Sequence, residues 1–214
     1  MRLNERTALN KLQDYYARHR SLPSRSAMTL LFGASDEKIL ATLARWVSQG
    51  VLKRDEDQIG EYQPTSEFFA GSLAMSIPAG AAERPFDEAF DRVDWRQIEQ
   101  MGIKVKNPSR TMVIRVKGDS MINAQINSGD LVIVEIGKEA FVNDIVVALV
   151  DGEWTLKRLI REGDSFALKP ENDAYPIIHA DGELKIHGVM IGLARPMETP
   201  GVMAYPATES SMLA

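Results

Sequence analysis

Six short runs rich in β-branched residues, at 113–116, 131–134, 145–150, 155–160, 166–170 and 186–193, fill the second half of this chain. The turns between them carry Asn-Ser-Gly-Asp, Asn-Asp, Asp-Gly-Glu and Glu-Gly-Asp, residues whose small or self-bonding side chains suit tight reversals. A parallel sheet needs long, usually helical crossovers between its strands, and no helical repeat fills these gaps. The half is therefore read as a compact all-β domain without crossover helices.

The first 65 residues follow a different period. Leu9, Leu12, Tyr15 and Tyr16 recur at helical spacing over 4–20, Ser21-Leu22-Pro23-Ser24 breaks the pattern, and a second short helix is expected at 26–32. A third is expected after Gly33, with Ser35 as N-cap, Ile39, Leu40, Leu43, Trp46 and Val47 as its buried stripe, and Gly50 as its stop. Residues 51–54 and 61–63 read as two strands around an Asp-rich turn. Three helices and a hairpin in this length resemble a winged helix-turn-helix. The chain is thus expected to be α+β in two domains: residues 1–65 a winged helix-turn-helix, 66–84 a small, apolar, Gly/Pro-punctuated linker, 85–197 the β-rich domain and 198–214 a mobile tail.

Charge and composition narrow the partners. Residues 1–65 hold 10 Lys+Arg against 8 Asp+Glu, while the chain as a whole carries −5, so any DNA contact is expected in the N-terminal third. There is no cysteine, which removes thiol catalysis, disulfides and zinc-thiolate sites, and His19, His179 and His187 lack metal-ligand spacing; neither a metal nor a cofactor is expected. The uncharged run 68–82 is 15 residues with two glycines and a proline, short of the roughly 20 a membrane span requires. With no apolar leader at the N-terminus, a bacterial cytoplasm is the expected location.

Two segments carry chemistry. Ser120 lies in Gly118-Asp119-Ser120-Met121, and Lys157 follows 37 residues later in Thr155-Leu156-Lys157-Arg158-Leu159. A serine hydroxyl needs a neighbouring base to become a nucleophile, and an unprotonated lysine amine can serve. Bringing a lysine from its ordinary value near 10.4 to about 7.4 by burial takes roughly 4 kcal/mol. Taken singly, each is also an ordinary turn serine or strand lysine. Together with an upstream Ala-Gly pair they resemble the LexA, UmuD and phage-repressor group of Ser-Lys autoproteases, from about Ile77 to Pro196.

That resemblance implies a β domain of the LexA/signal-peptidase type with Ser120 as nucleophile, Lys157 as base and the backbone N–H groups of Asp119 and Ser120 as the oxyanion hole. The bond cut would be Ala79–Gly80, with Ala70–Gly71 as rival. The run from Leu22 to Val51 is similar to the LexA DNA-binding domain. Ser35, Asp36, Glu37, Lys38 and Thr42 would then face base edges and Arg45, Lys53 and Arg54 the phosphates, though Asp36 and Glu37 suit an anionic groove poorly. The segment Lys169-Pro170-Glu171-Asn172-Asp173-Ala174-Tyr175 resembles a family turn and is expected to shape the domain or dimer edge. The implied protein is an SOS repressor that binds operator double-stranded DNA as a homodimer joined through its C-terminal domain and cleaves itself when a RecA-type filament on single-stranded DNA stimulates it. Two alternatives stay open: a UmuD-like accessory subunit of a translesion polymerase, favoured by the interval from Gly80 to Asp94-Trp95-Arg96-Gln97, and a DNA-binding repressor that never cleaves.

Overall fold

The computed structural model describes residues 4–55, 61–69, 86–87, 94–151, 153–179 and 184–195, with backbone alone at 86–87. Helix α1 (Glu5–His19) starts at Asn4, whose side chain accepts from the Thr7 N–H, and buries Ala8, Leu12 and Ala17. Helix α2 (Arg25–Phe32) is capped by Ser24 and ends at Gly33, whose φ of 64° suits a residue without Cβ. Helix α3 (Asp36–Ser48) begins after Ser35, whose side chain makes no capping bond. Strands β1 (Leu52–Arg54) and β2 (Tyr62–Pro64) close an antiparallel hairpin with Arg54 opposite Tyr62. Three helices and a wing are thus present as expected.

The stripe of α3 differs at two positions. Leu40 is 40% exposed, and Thr42 is 4% exposed beside Ile39, Leu43 and Trp46. Positions 39, 42, 43 and 46 share one face of a 3.6-residue helix, so Thr42 points inward, and its hydroxyl donates to the Lys38 carbonyl at 2.8 Å.

Residues 66–69, the first four of the expected linker, form a helical turn, α4 (Ser66–Phe69), and bury both Phe68 and Phe69. Their rings pack edge-on against Tyr16 at 5.6 and 5.4 Å between centroids, and the Gln13 side-chain amide donates to the Phe68 carbonyl at 2.6 Å. A further helix with too few turns to show a period, α5 (Trp95–Gln100), starts at Asp94, whose carboxylate accepts from the Arg96 N–H. Trp95 is fully buried with its ring 5.4 Å from that of Phe69. Burying such side chains contributes about 2–3 kcal/mol each, which is why this aromatic cluster stays out of water.

The β domain is one antiparallel sheet of β3 (Phe86–Asp87), β4 (Thr111–Val116), β5 (Leu131–Ile136), β6 (Ile145–Val150), β7 (Glu153–Glu162), β8 (Ser165–Lys169) and β9 (Leu184–Ala194), in the order β3-β4-β5-β9-β6-β7-β8. Alternation sorts its side chains. Met112, Ile114, Val132, Val134, Val147 and Leu156 gather in one cluster, whereas Val113 and Ile133 join Trp95, Ile98, Val105 and the helical module in another. The module is also tied by polar contacts: the Asp14 carboxylate accepts from the Ser109 N–H at 3.0 Å and hydroxyl at 2.7 Å, and Arg20 donates to both oxygens of Glu99 at 2.7 and 2.6 Å.

Candidate active site

Strand β7 carries Thr155, Lys157 and Leu159 on one face, because side chains alternate along a strand. Lys157 is 7% exposed. Its Nζ donates to three acceptors, Ser120 Oγ at 2.9 Å, Thr155 Oγ1 at 2.8 Å and the Leu156 carbonyl at 3.0 Å. Removal of water from around the ammonium lowers its pKa from the ordinary lysine value to about 8. That is a smaller fall than one to about 7.4, and it puts a useful fraction of neutral amine just above neutrality.

Ser120 sits in the loop after β4. Gly118 turns the chain with a φ of 86°, a conformation open to glycine, and Met121, 2% exposed, anchors the loop in the sheet cluster. The Asp119 carbonyl accepts from the Ile122 N–H at 3.1 Å. Among the described residues, the N–H groups of Asp119 and Ser120 have no backbone acceptor.

The three contacts of Lys157 determine where its lone pair goes. An ammonium has three protons for three acceptors. Once one proton is lost, the two that remain satisfy Thr155 and Leu156, and the lone pair faces Ser120 Oγ, which can then donate. The arrangement is chemically that of a serine with a built-in base. Thr155 is in place to hold the amine, a contact the sequence reading passed over although the i, i+2 spacing on a strand places it beside Lys157.

Asn172 and Tyr175, from the turn after β8, also reach this loop: Asn172 Nδ2 donates to the Asp119 carbonyl at 3.1 Å and the Tyr175 hydroxyl to Asp119 Oδ1 at 2.5 Å. Glu171, one residue earlier, accepts from Arg158 Nε at 2.5 Å, and its carbonyl takes the Asn123 N–H at 2.7 Å. This turn was expected to shape a domain or dimer edge; it abuts the serine loop.

The remaining candidates are dispersed. Ser35, Asp36, Glu37 and Lys38 are exposed at the start of α3, and Lys53 and Arg54 are exposed on the wing. Asp36 pairs with Arg25 at 2.9 Å, and Arg45 pairs with Glu5 across to α1. Thr42, expected at base edges, is buried and unable to reach them. Ala79, Gly80, Ala70 and Gly71, and the tail at 198–214, lie outside the described residues. Among the described residues no helix is long and apolar enough to cross a membrane.

A buried lysine amine thus lies against a loop serine, and the relatives of the chain give it a family. The Peptidase S24-like family model matches residues 68–191, and the chain belongs to that family. It is 50% identical over 131 residues to LexA repressor 1 of Geobacter sulfurreducens, covering 58% of this chain and 63% of that protein. It is 52% identical over 88 residues to the LexA repressor of Citrifermentans bemidjiense, covering 40% of this chain and 44% of that one. A longer match, 34% identical over 194 residues, is to the LexA repressor of Verrucomicrobium spinosum, covering 88% of this chain and 94% of the other. The matched stretch spans less than two thirds of the first two relatives, and nearly all of the third.

Proposed function

We propose that this chain is a LexA-like SOS repressor that binds operator DNA as a dimer and inactivates itself by Ser-Lys autoproteolysis at Ala79–Gly80. The observation that carries the reading is the 2.9 Å contact between Ser120 Oγ and a Lys157 amine whose pKa is lowered to about 8. Neutral Lys157 takes the hydroxyl proton as Ser120 attacks the Ala79 carbonyl carbon. The tetrahedral oxyanion is received by the N–H groups of Asp119 and Ser120, and the lysine then returns the proton to the leaving Gly80 amine. Water hydrolyses the resulting ester on Ser120 by the same route in reverse.

The sheet supports this choice of bond. Phe86 pairs with Val116 and Asp87 with Arg115, antiparallel, which sets Phe86 beside the end of β4 that leads into the Ser120 loop. Gly80 is six residues from Phe86, a reach of at most about 20 Å, and Ala79 is ten from Phe69, which leaves slack on both sides. The rival bond has none on its N-terminal side, because Ala70 follows directly on buried Phe69.

The N-terminal module supplies the repressor half of the reading. Two linked half-site readers bind far more tightly than one by effective concentration, so cutting the tether weakens operator binding without altering a DNA contact. Stimulation by a RecA-type filament on single-stranded DNA belongs to this reading through the family. The UmuD-like alternative is less favoured, since Asp94 and Trp95 already have a local role, capping and anchoring α5. Wild type and Ser120→Ala are incubated at neutral and alkaline pH, with and without recombinase filaments on single-stranded DNA, and the fragments are weighed. Fragments meeting at Ala79/Gly80 in the wild type alone are expected. An intact wild type under every condition sinks the autoprotease reading, and failure of the uncleaved chain to bind any specific operator DNA sinks the repressor reading.

A further inference from the structure

A peptide bond is planar, so fixing a carbonyl fixes the N–H on the other side of the same plane. The carbonyl of Asp119 and the N–H of Ser120 share one such plane, and among the described residues every peptide bond is trans. The Asp119 carbonyl has two donors: the Ile122 N–H at 3.1 Å, from within the loop itself, and Asn172 Nδ2 at 3.1 Å, from 53 residues away. Asn172 also lies 3.4 Å from Asp119 Oδ2, while the Tyr175 hydroxyl donates to Oδ1 at 2.5 Å. One distant turn therefore grips both the backbone and the side chain of the residue immediately before the serine.

We infer that Asn172 and Tyr175 are positioning residues that set the orientation of the oxyanion hole, Asn172 by holding the Asp119–Ser120 peptide plane and Tyr175 by holding the Asp119 carboxylate. The inference rests on the Ser-Lys reading of the site. Were the plane free to rotate, the Ser120 N–H would turn away and a carbonyl oxygen, which repels an oxyanion, would turn in. The turn is itself braced for the task. Asn172 Oδ1 accepts from the Ala174 N–H at 3.0 Å, which directs its Nδ2 outward, and the Glu171 carbonyl takes the Asn123 N–H just beyond the serine. The Asp119 carboxylate raises the Tyr175 phenol pKa above its ordinary value, through their hydrogen bond first and its charge second, so the phenol still donates at alkaline pH.

Neither residue touches the Lys157 amine, and this separates a positioning role from a general loosening of the site. Cleavage rates are measured from pH 6 to 10 for the full chain, for Asn172→Ser, Tyr175→Phe and the double variant, with thermal unfolding as the control for folding. Serine at 172 can still accept from the Ala174 N–H in its turn but is too short to reach the Asp119 carbonyl. The plateau rate of Asn172→Ser is expected to fall about 10- to 100-fold, somewhat less than outright deletion of an oxyanion donor, with the midpoint of the pH profile unchanged. Tyr175→Phe, altered on an exposed side chain, is expected to lose about 3- to 10-fold at the plateau by the same route. A midpoint that moves with the plateau overturns the inference, since the defect would then lie in the lysine environment. Wild-type rates in both single variants overturn it alone, with the autoprotease reading intact. A wild type that stays whole at every pH overturns both.

Discussion

Replacing Lys157 by methionine is expected to abolish cleavage and, at the same time, to change stability in a way that depends on pH. The lysine has a folded pKa of about 8 against 10.5 unfolded. Because the folded value is the lower one, the unfolded chain holds more protons between them, and stability rises with pH in that window. The penalty of the buried ammonium is therefore fully present below about 8 and disappears as pH passes about 10.5. Summing the two titrations gives a penalty of about 3 kcal/mol at pH 7 and about 1 kcal/mol at pH 9.5. Methionine carries no such penalty but gives up hydrogen bonds to Thr155 and Leu156, each worth about 1 kcal/mol, so the absolute gain at pH 7 is modest. The difference across pH is the sharper quantity. In a Ser120→Ala background, which removes self-cleavage, urea unfolding at pH 7 and 9.5 is expected to show the advantage of methionine shrinking by about 2 kcal/mol. An advantage that is constant over this range refutes the claim that the amine is desolvated, and with it the physical basis for Lys157 as a base at near-neutral pH.

Wild-type self-cleavage is expected to rise close to tenfold per pH unit below about 8 and to level off above it, followed by band densitometry; a profile flat from 6.5 to 9 contradicts a lysine base. Thr155→Val, which keeps the shape of the strand but removes one of the two acceptors that orient the neutral amine, is expected to slow cleavage about 10-fold while unfolding shifts by no more than about 1 kcal/mol. Gly188→Ala is expected to destabilise the β domain by about 2–4 kcal/mol in chemical denaturation, because its Cβ would meet Val134 Cγ1 at 2.7 Å and the Glu135 carbonyl at 2.8 Å.

Strand alternation and turn residues were enough to place the strands of the β domain from β4 onward, and helical spacing with Ser and Gly punctuation placed α1, α2 and α3. What stayed hidden was set by contacts distant in sequence. Trp95 has meaning only beside Phe69, 26 residues earlier, and helix α5 is held by that burial rather than by a period its six residues could display. The α3 stripe was misjudged at Thr42 because that residue is polar, although positions 39, 42, 43 and 46 form a regular inward row. At the site, the serine and lysine were legible through their local settings. Their supports were not. Thr155 lies within the quoted motif yet works only through strand geometry, and Asn172 and Tyr175 reach the loop from more than fifty residues downstream.

The ring contact between Phe69 and Trp95 fastens together the two ends of the stretch that the proposed reaction would sever. Asp14 on Ser109 and Arg20 on Glu99 add rivets across the same seam. Hydrolysis of a bond between these two anchors removes connectivity without removing adhesion. The nicked molecule would then persist as a noncovalent pair, and its lifetime would be governed by the opening rate of the aromatic clip. Silencing would thus run on two clocks, one chemical and one mechanical, and the slower would set how long an operator stays occupied after the peptide is cut.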